Sequence, residues 1–152
     1  MSKRSPRSVT LQRVDEAHYR VVNERGLSLD FGHGDGLFSP VELLLAAIAG
    51  CSSVDVDSVT TRHSIPESFE VKASGDYTVD GQGAHKLEDV VLDFAVRFPD
   101  SPEGRAAERL VARVVKLSHD KECTVSRTVE LPTSVTSMVD GRVVAASGGA
   151  GR

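Results

Sequence analysis

Ser39-Pro40-Val41-Glu42-Leu43-Leu44-Leu45-Ala46-Ala47-Ile48-Ala49-Gly50-Cys51 starts a helix and then makes it apolar all round. Ser39 fits the N-cap, and Pro40 fits the first helical position, where its missing N–H costs nothing. Glu42 sits where a capping-box carboxylate reaches back to the cap. Leu43 to Ala49 leave no polar face, so this helix has to be enclosed by protein. Polar residues resume at Ser52-Ser53, Asp55, Asp57 and Arg62, and Thr60-Thr61 with Pro66 predict an end near His63. Cys51 therefore lies mid-helix, where apolar sequence gives way to polar sequence and a thiol can be both shielded and reachable.

On the N-terminal side, Val9–Val14, His18–Asn23 and Leu27–Phe31 read as short strands, joined through Asp15-Glu16 and Glu24-Arg25-Gly26. Gly32-His33-Gly34-Asp35-Gly36 lacks the spacing and lysine of a phosphate loop and reads as a flexible connection. On the C-terminal side, Phe69–Val79 alternates cleanly, Asp80-Gly81-Gln82-Gly83 turns the chain, and Val90 to Phe98 returns. Ser101-Pro102-Glu103 opens an amphipathic helix closed by His119-Asp120-Lys121-Glu122. Cys123 then begins a strand through Thr124–Leu131, followed by Val135–Val139 and, after Asp140-Gly141, by Arg142–Ala145. Strands, apolar helix, long hairpin, amphipathic helix and strands make an α+β order, without the strict alternation of a doubly wound sheet. A greasy helix is hard to enclose in so small a domain, and a homodimer burying it from both sides is the remedy. Residues 9–146 are expected to form one domain, between a flexible N-terminus (1–8) and a flexible tail (147–152).

The 152 residues are 39% hydrophobic and 26% charged, ordinary for a soluble globular chain. A net charge of −4 argues against nucleic acid as a partner. The longest apolar run, Leu43 to Cys51, is about half of a membrane span. No apolar stretch follows the basic tip at Lys3, Arg4 and Arg7, so a cytoplasmic setting is expected. His18, His33, His63, His85 and His119 show no metal-binding spacing, and no metal or cofactor is expected. His119, four residues before Cys123, either tunes that thiol or is simply solvated.

Cys51 and Cys123 are the only cysteines. They make a poor zinc site, and in a reducing compartment they are not a structural disulfide. Two readings remain open: ordinary buried or idle thiols, or a pair that is oxidised and reduced in turn.

The stretch Ser39 to Cys51 resembles the central helix of the OsmC/Ohr family, loosely P-x-E-L-L-L-A-A-x-x-G-C. The second cysteine after an amphipathic helix also matches, and with the element order the resemblance covers roughly residues 9 to 139. It implies an intertwined homodimer with an active site at the subunit interface, reducing organic hydroperoxides. It further implies Cys51 as the peroxidatic thiolate, Cys123 as the resolving thiol and a lipoyl-type dithiol as reductant. In that family an Arg activates the thiolate and a Glu orients the Arg. Glu42 matches the Glu, and Arg25 or Arg20 stands where the Arg arises. Glu42 is nine positions from Cys51, one fewer than in the family's peroxidases. On a straight helix that puts it on the opposite face, roughly 13 Å along the axis. Glu42 thus reads equally as a catalytic residue or a helix cap, and Arg25 as an activating cation or an exposed turn residue. The leading expectation is a thiol peroxidase that prefers apolar hydroperoxides. The alternatives are a dimeric module binding an apolar small molecule without turnover, and a structural or regulatory domain.

Overall fold

The computed structural model describes residues 4–131 and 133–147. Most of the expected tail, 148–152, and the first three residues of the expected flexible N-terminus lie outside the described residues. Ser147, counted with that tail, is held: its amide donates to the Val135 carbonyl at 2.9 Å. The chain groups into two compact units, Met1–Ala46 and Ala47–Arg152.

The first unit carries a three-stranded antiparallel sheet in the order β1 (Val9–Asp15), β2 (His18–Asn23) and β3 (Ser28–Gly32). Leu11 pairs with Val21, and Val21 in turn with Leu29. Gly32 is no part of a loose connection. It closes β3, fully buried, and an added Cβ would stand 1.9 Å from the Ala17 carbonyl oxygen, so only glycine fits. Arg20 and Asp30 are cross-strand partners, and the arginine fork donates twice to the carboxylate, at 2.6 and 2.9 Å. His18 Nε2 lies 3.0 Å from the same group.

α1 (Pro40–Thr60) begins as the sequence predicts. The Ser39 amide donates to Glu42 Oε2 at 2.7 Å and the Glu42 amide to Ser39 Oγ at 3.2 Å, closing both halves of the capping box. The expectation that α1 is enclosed is not met within one chain. Only Ile48, Ser52, Val56 and Thr60, a strict i,i+4 stripe, are buried, while Val41, Leu44 and Val54 are exposed. By length and composition α1 is also long and apolar enough to cross a membrane, which the nine-residue run underestimated because Ser52 and Ser53 end the run while adding no charge.

The second unit is built on the hairpin of β4 (Ser68–Val79) and β5 (His85–Arg97). Phe69, Val71 and Ala73 are half-buried. A bulge between Ser74 and Asp76 shifts the register, and beyond it Tyr77 and Val79 are exposed, where unbroken alternation had put them on the covered face. α2 (Pro102–Leu117) is capped by Ser101, whose hydroxyl accepts from the Gly104 amide at 3.0 Å. It ends before the predicted His119 to Glu122, which form a single π-helical turn, Ser118–Glu122.

Residues Thr124 to Glu130 are a helix, α3, and not the predicted strand. β-branched Thr124, Val125, Thr128 and Val129 carried the strand reading, but propensity is a weak prior against capping. Cys123 is the N-cap of α3, its sulfur accepting from the Ser126 amide, and the Arg127 guanidinium donates back to the Asp120 carbonyl at 2.7 Å. The chain ends in the expected hairpin, β6 (Thr136–Val139) and β7 (Arg142–Ala146). Asp140 and Gly141 both have positive φ, as a type I′ turn requires.

The Arg20 fork, first, holds the Asp30 carboxyl down to about 2, helped by His18 and opposed by burial. A depressed carboxyl stabilises the folded state fully above about pH 4, its unfolded value, and loses that contribution as pH falls toward 2. Acid unfolding followed by circular dichroism is expected to be less steep across this window in Asp30→Asn. Parallel profiles for the two proteins would deny the ion pair that role.

Candidate active site

Cys51 and Cys123, 72 positions apart in the chain, meet in the second unit. Cys51 projects from α1 and is half-buried, whereas Cys123, between the π-helical turn and α3, has no exposed surface. Their thiols lie close enough for each to shift the acidity of the other.

Three features set that meeting. The Cys123 amide donates to the Ser118 carbonyl at 2.8 Å, the wide closure that a π-helical turn makes. The Ser118 hydroxyl, at the start of that turn and wholly buried, donates to Asp55 Oδ2 at 2.6 Å. Asp55 is one helical turn beyond Cys51, so the Ser118–Asp55 bond clamps α1 to the segment that carries the second cysteine. Finally, the first amides of α3, which have no partner inside the helix, face sulfur: those of Val125 and Thr124 face Cys51, and that of Ser126 faces Cys123.

The two sulfurs differ in acidity. Burial pushes the Cys51 thiol up; the Val125 amide opposes this, and the facing Cys123 raises it further. Burial works against a Cys123 thiolate as well, but is outweighed there. The Ser126 hydroxyl 3.1 Å away, the Ser52 hydroxyl, the Ser126 amide at 3.4 Å and the Cys51 thiol together bring Cys123 below an ordinary thiol. All of these groups are neutral.

Of the four predicted site residues, the structure joins the two cysteines. Glu42 is engaged with Ser39 in the cap, which holds its carboxyl low. α1 runs unbroken through Gly50, so Glu42 and Cys51 lie on opposite faces of one helix. Arg25 is exposed in the β2–β3 turn of the other unit, its amide donating to Asn23 Oδ1, and the Arg20 fork is taken by Asp30. His119 lies against Glu130, Nε2 to Oε1 at 3.5 Å. Sequence reasoning missed Ser126, Asp55 and Ser118, and read Ser52 as polar helix surface although it is 4% exposed. A signal for Ser52 existed: it falls in the stripe Ile48, Ser52, Val56, Thr60.

A cavity of about 850 Å³ reaches the two serines, walled by Ile48, Leu92, Phe94 and Val115. Among the described residues no cluster of side chains is suited to a metal ion.

Residues 32–138 match the family model described as OsmC-like protein. The chain belongs to the OsmC-like protein family. Protein YhfA of Escherichia coli is 31% identical over 110 residues, spanning 71% of this chain and 76% of YhfA. An OsmC-like protein of unknown function from Vibrio cholerae has the same fold, with a TM-score of 0.64 at 15% identity over 84% of this chain and 95% of that one. So does an organic hydroperoxide resistance protein OsmC from Legionella pneumophila, with a TM-score of 0.55 at 20% identity over 84% and 91%. In this OsmC-like chain the mixed α and antiparallel β architecture is therefore the one its sequence implied.

Removing the clamp tests the local construction. Ser118→Ala leaves the Asp55 carboxylate without its buried donor and is expected to cost about 1–3 kcal/mol in urea unfolding. It should also slow diamide-driven joining of Cys51 to Cys123, read by non-reducing peptide mapping. Unchanged stability and an unchanged joining rate would show that the clamp positions nothing.

Proposed function

We propose that this OsmC-like protein is a dithiol peroxidase for organic hydroperoxides, with Cys51 attacking and Cys123 resolving. The observation that carries the reading is a thiol with access to solvent beside a second thiol that has none, each shifting the acidity of the other. Cys51 sulfur attacks a peroxide oxygen, the O–O bond breaks, and the alcohol leaves with a proton, so that Cys51 becomes a sulfenic acid. Cys123 sulfur then displaces the hydroxyl, giving the Cys51–Cys123 disulfide and water before further oxidation can intervene. Two electrons from a dithiol, lipoyl-type reductant return the pair to thiols.

The acidity of the pair supports this division and alters its detail. Cys123 is the readier of the two to ionise, and as a thiolate beside Cys51 it takes the Cys51 proton as Cys51 attacks. Hydroxyls and an amide are then the groups that favour the Cys123 thiolate. Glu42 serves by starting the helix that carries Cys51, and Arg25 is assigned no part in the step. The Legionella relative's name, an organic hydroperoxide resistance protein, supports the choice of substrate.

The working form is inferred to be a homodimer. β1 is exposed along its whole length, and Val135, Met138, Val139, Val143 and Val144 of the last hairpin are all exposed, more apolar surface than a monomer keeps in water.

Steady-state consumption of cumene hydroperoxide with a dithiol reductant tests the proposal. Cys51→Ser is expected to fall to the rate without protein. Cys123→Ser should turn over about once and then stop as the unresolved sulfenic acid is lost. Wild-type protein that consumes no peroxide, or Cys51→Ser that keeps its rate, would overturn it.

A further inference from the structure

We propose that Ser126, aided by Ser52, fixes the direction in which the Cys51–Cys123 disulfide is reduced: the incoming thiolate attacks Cys51, and Cys123 departs as the thiolate. The inference rests on the dithiol reading above and specifies its reductive half.

Thiol–disulfide exchange proceeds along the S–S axis, at a sulfur the attacker can reach, and fastest when the expelled sulfur is the better anion. Both conditions select the same polarity. Cys51 is half-buried, while Cys123 is 0% exposed, so an external thiol reaches only Cys51. Ser126 Oγ stands 3.1 Å from Cys123 Sγ, and the Ser126 amide donates to that sulfur at 3.4 Å. Ser126 and Ser52 are only 8% and 4% exposed, which limits the water that can compete for their hydroxyls. A thiolate expelled at Cys123 therefore finds its solvation already in place.

In the balanced step, the reductant thiolate forms a new S–S bond to Cys51 Sγ. The Cys51–Cys123 bond breaks, and its electron pair goes to Cys123 Sγ, where the serine donors hold it. The expelled thiolate still faces the mixed disulfide and can attack it again. A monothiol is therefore repeatedly expelled, whereas a dithiol closes on itself through its own second sulfur, at a high effective concentration, and frees Cys51.

The full chain is oxidised with diamide, exposed briefly to N-acetylcysteine, quenched with N-ethylmaleimide in denaturant, which opens Cys123 to alkylation, and mapped by mass spectrometry. The expected product has N-acetylcysteine on Cys51 and maleimide on Cys123. In that adduct, Cys123 ionisation followed by ultraviolet absorbance is expected to move up by about one pH unit in Ser126→Ala. Disulfide reduction should slow about tenfold in the same variant, with both effects reversed in Ser126→Thr, which keeps the hydroxyl. Ser52→Ala should move both readouts the same way by less. N-acetylcysteine on Cys123 would overturn the inference, as would Ser126→Ala that matches wild type in both readouts, or diamide failing to join the pair. Diamide makes the disulfide without hydroperoxide. Inertness toward cumene hydroperoxide would therefore sink the peroxidase reading alone, and an adduct on Cys123 would sink this inference alone.

Discussion

Cys123 has no surface open to solvent, so any charge on its sulfur is solvated by the Ser126 hydroxyl and amide, the Ser52 hydroxyl and the Cys51 thiol. A buried anion without such donors would simply stay protonated. That constraint accounts for a polar residue at Ser52 inside the otherwise closed stripe of α1, and for the short helix beginning at Cys123. Several modest hydrogen bonds in a low-dielectric setting act together on that sulfur.

The fold serves this arrangement through local devices more than through a large core. The Ser39–Glu42 capping box fixes where α1 starts, and hence which residues reach the level of Cys51. The Asp55–Ser118 bond and the π-helical turn fix where the second cysteine arrives. One extra residue in that turn rotates everything after it, so a regular continuation of α2 would carry Cys123 off the face that meets α1.

What could be read in the sequence was whatever announces itself locally. The cap at Ser39, Pro40 and Glu42, the two alternating strands, the amphipathic period of α2 and the Asp140-Gly141 turn each carry their own signal. α3 did not, because its β-branched residues favour a strand and its decisive cap is a cysteine, an uncommon N-cap. The exposure of much of α1 was hidden for a different reason: hydrophobicity demands a cover but does not say which chain supplies it. The site was half legible. The pairing of Cys51 with Cys123 came from family resemblance, and Glu42 was visible as a cap. Ser126, Ser118 and Asp55 act through contacts made only in the folded chain, and no short-range pattern marks them.

The claim beneath all of this is that the two sulfurs work as one redox unit within a single chain. Intact mass of the reduced protein, measured after one equivalent of cumene hydroperoxide, tests it most directly. The account predicts a loss of about 2 Da per chain, the two hydrogens given up to a Cys51–Cys123 bond. An unchanged mass, a stable gain of oxygen on Cys51, or a bond between chains would contradict it.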